Sequence, residues 1–106
     1  MKKTKVVAKR NRKNDVGLVF LSDKVNNRIA LDSRFEDFCR QSLIRHTNCD
    51  WGDICQSDKK YNDEIIKTCE DSLRSAYIYD KDTGEKILII TECDHSITTI
   101  LFPSEL

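Results

Sequence analysis

Residues 75–102, SAYIYDKDTGEKILIITECDHSITTILF, decide the fold class. Three runs rich in β-branched and aromatic residues are separated by two polar breaks, the pattern of short strands joined by turns. Ser75 to Tyr79 reads as a strand that ends at Asp80-Lys81-Asp82-Thr83-Gly84, where Gly84 can take the positive φ of a hairpin loop. Lys86 to Thr91 returns as a nearly continuous apolar strand, so an interior position in the sheet is expected. A polar corner, Glu92 to Ser96, separates it from a third strand, Thr98 to Phe102, which Pro103 terminates. The three runs predict an antiparallel meander.

Upstream the period changes from two to between three and four. Ser33-Arg34-Phe35-Glu36 has the form of a capping box. Phe35, Phe38, Cys39, Ser42 and Leu43 then mark one face of a helix ending near His46. A second helix is expected from Ser57 or Asp58, with Tyr61, Ile65, Ile66, Cys69 and Leu73 inward. Asp58, Asp63 and Glu64 lie near the positive end of its dipole. Cys39 and Cys69 read as small core hydrophobes. Val16 to Leu21 is a further short apolar run, read as a strand, and Ser22 to Arg28 is a turn or a short helix. The expected architecture is α+β: an N-terminal strand, two helices, then a three-stranded antiparallel meander with the helices on one face.

A chain of 106 residues fits one domain, and no run of about 18 apolar residues offers a membrane span. The net charge of zero hides an asymmetry. Residues 1–14 hold seven basic and no acidic residues, leaving eleven basic and eighteen acidic residues in 15–106. The expected organisation is a basic flexible arm over 1–14 and a single acidic domain over 15–106, expected to be a monomer. The arm reads either as a solvated tail or as an attachment to nucleic acid or an acidic surface. The positive start lacks the apolar segment of a secretion signal, so a cytoplasmic protein is expected. Five cysteines, an odd number, then read as reduced thiols or metal ligands rather than a disulfide framework.

Three passages carry a resemblance: RHTNCDWGDIC (45–55), the tyrosine-containing hairpin around 76–86, and ITECDHSITTILFPSEL (90–106). Together they resemble a family of small "plasmid-related" proteins of bacterial mobile elements, whose pattern is RH-x-x-GDWGD followed by ITEADRS-x-TT-x-LLPE. The resemblance spans about residues 16–106 and implies a habitat on plasmids and integrative elements rather than a set activity. Asp50, Trp51, Gly52, Asp53, Thr91, Glu92, Asp94, Ser96, Thr98 and Thr99 match the pattern. Cys49 stands where it has glycine, Cys93 where it has alanine and His95 where it has arginine, and His46 retains its histidine.

All three replacements are metal-ligand types. His46 and Cys49 are three apart at a helix end, and Cys93 and His95 are two apart in an extended corner, so each pair can present two ligands to one side. Together they form a Cys2His2 set for a structural zinc, with Cys55 as a competing ligand; the alternative is a set of unliganded corner residues and a core thiol. Trp51 is either a recognition anchor or a core plug under a loop. Asp50 and Asp53 read as groups that cap the second helix and hydrogen-bond within the loop, with metal binding or general acid and base roles as the alternatives. Glu92 and Asp94 read as a solvated edge.

Three classes of function follow. The first is an interaction protein of a mobile element, by analogy an anti-CRISPR inhibitor that binds a type II CRISPR effector nuclease, a host protein, and blocks guide or target DNA loading. The second is a nucleic-acid-binding accessory protein for plasmid maintenance or regulation, favoured by the basic arm. The third is a small nuclease using His46, His95 and the carboxylates. With only three glycines and no phosphate-cradling loop, the chain is not expected to be an enzyme.

Overall fold

The computed structural model describes the backbone of Lys2–Thr4 and the whole of residues 14–106; Met1 and residues 5–13, most of the expected basic arm, lie outside the described residues. In chain order the elements are β1 (Lys2–Thr4), β2 (Leu18–Leu21), α1 (Asp23–Leu31), α2 (Ser33–Thr47), α3 (Gln56–Thr68), β3 (Leu73–Asp80), β4 (Glu85–Thr91) and β5 (Ile97–Leu101). A 3-10 turn, Pro103–Glu105, follows. The sheet order is β1-β2-β5-β4-β3. The meander is present, with β3 against β4 and β4 against β5 antiparallel. The sheet is nonetheless mixed, because β2 pairs in parallel with β5, Leu18 opposite Ile97 through Leu21 opposite Ile100. Helices and hairpin carry the chain away from β2 and return it beside β2 in the same direction.

Among the described residues the helices number three rather than the two expected. Ser22 starts α1 by accepting a hydrogen bond from Val25 N–H, and Val25 is completely buried. Asp32 then ends α1 in extended conformation and caps α2, its carboxylate accepting from the N–H groups of Arg34 and Phe35. The cap therefore lies one residue before the expected Ser33. An aspartate outcompetes the serine because its charged oxygen can accept from two helical amides at once.

Alternation along the strands assigns two faces. Val19, Leu21, Tyr77, Ile87, Ile89 and Ile100 point inward and join Val25, Phe35, Cys39 and Leu43 in one core cluster. Burial of such side chains supplies roughly 1.5–3 kcal/mol each, which makes this cluster the main source of stability. Arg28 closes its rim with a bidentate pair to Glu85 at 2.8 and 3.1 Å, its guanidinium 4.9 Å from the Phe35 ring centroid. A smaller cluster of Trp51, Ile65 and Leu73 lies under α3.

The outward face of the sheet is also apolar. Leu18 lies opposite Ile97, Phe20 opposite Thr99, Thr99 opposite Ile90, and Leu101 opposite Leu88. Neither core cluster includes Phe20, Leu88, Ile90 or Ile97, and Leu18 and Ile78 are 44% and 38% exposed. The apolar character of β4 thus reflects its interior place in the sheet and a second apolar face, the helices of the described residues packing on the other.

Helix α3 departs most from its expected face. Tyr61 is exposed and donates to Asp71, Leu73 belongs to β3, and the residues α3 buries are Asn62 and Ile65. Cys69 is exposed rather than core: it is the C-cap of α3, in left-handed conformation at φ 56°. The helix meets the margin of the sheet along a narrow line, so a full apolar stripe is not needed. At Cys69 an L side chain is strained where glycine is not. Cys69→Gly is expected to raise stability by about 1 kcal/mol, moving Tm up by roughly 4–8 °C in thermal melts. A drop in Tm would return Cys69 to the core.

Candidate functional site

The densest polar arrangement lies where the end of α2 meets β3, β4 and β5. His46 is completely buried there, with Ser75, Thr91 and Thr98 buried beside it. Ser75 Oγ contacts His46 Nδ1, and Thr91 Oγ1 lies 2.8 Å from His46 Nε2. Thr91 and Thr98 hydroxyls are 2.7 Å apart, and Thr98 donates to the carbonyl of Val16 at 2.7 Å.

The direction of this chain follows from counting protons. Thr98 has one hydroxyl proton and gives it to Val16, so Thr91 must donate to Thr98. Thr91 then accepts from His46, which assigns the proton to Nε2 and leaves Nδ1 to accept from Ser75. A neutral imidazole satisfies all four side chains in this one tautomer. Burial, and secondarily the nearby charge of His95, pushes the His46 pKa down to about 3.

The adjoining loop closes the free edge of β3. Trp51 C=O accepts from Ala76 N–H at 3.4 Å, Asp53 N–H donates to Ala76 C=O at 2.7 Å, and the Asp53 carboxylate accepts from Ile78 N–H at 2.9 Å. Asn62 of α3 donates to Arg74 C=O at 2.8 Å. The outward carbonyl of Arg74, both outward groups of Ala76 and the Ile78 N–H are thereby occupied, which limits pairing of this edge with another chain. Gly52 makes the approach possible: its φ is +75°, and a Cβ there would lie 2.1 Å from the Ala76 carbonyl oxygen. Trp51 is buried, donates to Asp63 at 2.9 Å and meets the His46 ring edge-on at 5.5 Å. It is a core plug. Asp50 pairs with Arg45 at 2.7 and 3.2 Å and accepts from Gly52 N–H, which holds its carboxyl below the usual range.

The residues expected to hold zinc are spread over different environments. Both ring nitrogens of His46 are engaged by hydroxyls. Cys49, at φ 60°, is half-buried against the Trp51 cluster; Cys93 is exposed. His95, also at φ 60°, directs its Nδ1–H to the carbonyl of Asp15 at 2.6 Å. Among the described residues, no group of three or more His, Cys, Asp or Glu side chains is arranged to hold a metal ion. Cys55 is exposed, its Sγ 3.3 Å from Ser57 Oγ. Ligation by His46 would require breaking one of its two buried hydrogen bonds. The buried thiol of Cys39, pushed up to about 12 by burial, is unreactive.

Ser75 and His46 make the contact of a nucleophile and its base, but both are essentially inaccessible, at 1% and 0% exposure. A substrate carbonyl or phosphate cannot reach Ser75 Oγ without opening the core. The arrangement is a structural tie. Ser75, Thr91, Thr98 and Gly52 were not assigned these roles from the sequence; the visible signals were small hydroxyl residues at inward strand positions opposite a helix-end histidine. No protein-family model, curated protein or solved structure matches the chain. Among the described residues no helix is long and apolar enough to cross a membrane.

The buried histidine gives a pH dependence of defined sign. An unfolded imidazole takes up a proton near pH 6.5, whereas the folded one does so near 3. Between these values the unfolded state binds the extra proton, so the His46 contribution is intact above about pH 6.5 and stability falls as pH is lowered, by about 2 kcal/mol at pH 5. Urea unfolding at pH 7 and pH 5 should show this loss, and His46→Gln, less stable at pH 7, should show a shallower one. Equal wild-type stability at the two pH values would contradict the assignment.

Proposed function

We propose that this chain is a protein-interaction module of a mobile element, acting by occupying a host protein rather than by chemistry of its own. The observation that carries the reading is the outward face of the β2-β5-β4-β3 sheet. It carries Leu18 and Ile78 exposed, with Phe20, Leu88, Ile90 and Ile97 half-buried between them, apolar side chains on a sheet face of the kind that interaction sites use. The acidic excess of residues 15–106 adds a preference for a basic partner. A type II CRISPR effector nuclease, with its positively charged guide and target channel, is the partner class that this charge and the resemblance to plasmid-related proteins favour. Binding there would block guide or target DNA loading.

The seven basic residues of 1–14 favour a second reading, an accessory protein bound to nucleic acid through the arm. The two separate experimentally. With a purified type II effector, the first reading expects co-elution in gel filtration and loss of target cleavage. The paired substitution Leu18→Asp and Ile78→Asp, at exposed positions, should weaken binding by about tenfold or more. Absence of a complex, together with salt-sensitive DNA retardation that disappears on deleting residues 1–14, would replace the first reading by the second.

A further inference from the structure

A second surface lies beside α1, apart from the outward face of the sheet. A groove of about 610 Å³ opens between α1, the start of β4 and the turn after β5. That volume lies in the range of binding clefts for small molecules and short peptide segments. Its apolar part comes from Leu31, 86% exposed, and from half-buried Phe102. Asn27 and Ser104 contribute polar groups beside them.

The charges of the groove divide into committed and uncommitted ones. Arg28 and Glu85 satisfy each other in their bidentate pair, and Arg28 also reaches Asp32 at 3.4 Å. Lys24 and Lys86, both exposed, have no ion-pair partner within 4 Å among the described residues. Lys24 lies near enough to Glu105 to help hold that carboxyl low, after desolvation in the other direction and the hydrogen bonds from Ser22 and Phe102. The groove therefore joins an apolar floor to two available ammonium groups on different elements, within a domain that is otherwise acidic.

We infer that this groove binds an acidic peptide segment bearing a large apolar side chain. The apolar side chain covers Leu31 and Phe102, and carboxylates on either side meet Lys24 and Lys86. This surface is distinct from the sheet face proposed above and opposite to the domain in charge preference, so one copy can engage two partners, or two parts of one partner. Asn27 and Ser104 are placed to hydrogen-bond the peptide backbone, which would favour extended segments over free carboxylic acids.

The test is fluorescence anisotropy of the full-length protein with a fluorescein-labelled peptide carrying a Leu-Phe pair between two Glu-Glu-Asp runs. The same peptide with lysine in place of every acid is the control. Saturable binding of the acidic peptide alone is expected, weakened by about tenfold or more in the Lys24→Glu, Lys86→Glu protein. Both positions are exposed, and unchanged melting establishes that the variant is folded; Lys24→Ala, Lys86→Ala replaces it if melting shifts. Amide shift changes in a ¹H–¹⁵N spectrum should centre on Asn27, Leu31, Phe102 and Ser104. No saturation, equal binding of the lysine peptide, indifference to both paired variants, or shifts confined elsewhere would each overturn the inference.

Discussion

The rest of the structure depends on one buried polar constraint, the hydrogen-bond chain from Ser75 through His46, Thr91 and Thr98 to the Val16 carbonyl. It joins the last turn of α2 to three strands and to the segment entering β2. Because each hydroxyl has one proton to give, the chain has one direction, and it fixes the imidazole in one tautomer. An apolar corner could tolerate sliding of α2 over the sheet; this one leaves an unsatisfied buried group if any partner moves. A lost partner of this kind costs roughly 1–3 kcal/mol, a large share of a small domain's stability.

From this corner the chain continues into the loop that closes the sheet edge. His46 positions the end of α2, Arg45 clamps Asp50, and Gly52 lets 51–53 run beside Ala76 like a short extra strand. Trp51 fills the space between the histidine and α3. His46, Asp50, Trp51 and Asp53 of 46–55 are therefore engaged in architecture, while Cys55 is exposed. The outward sheet face and the groove beside α1 contain none of them.

The meander and the helix over 33–47 were legible because their periods are strong: alternating β-branched runs broken by Asp80–Gly84, and Phe35, Cys39 and Leu43 on one stripe. The first helix was less legible, since its single fully buried residue is Val25 and its polar Asn26-Asn27 pair reads equally well as a turn. The parallel pairing of β2 with β5 was hidden because register between distant strands leaves no local signal. The inward face of α3 was misread at Tyr61 and Cys69, where apolar spacing continued beyond the narrow contact with β3. Cysteine and histidine spacing offered a metal set, but spacing does not report what a buried ring nitrogen already bonds. Hydroxyls from two strands, Ser75 of β3 and Thr91 of β4, invisible as a motif, engage His46 on both sides.

The assignment of this corner as a neutral, structural tie is tested most directly by a long-range ¹H–¹⁵N spectrum of the His46 imidazole at pH 5. An unperturbed histidine would be almost entirely protonated there. The account predicts one protonated and one unprotonated nitrogen, with the proton on Nε2 and in slow exchange with solvent. Two protonated nitrogens, or the proton on Nδ1, would contradict it.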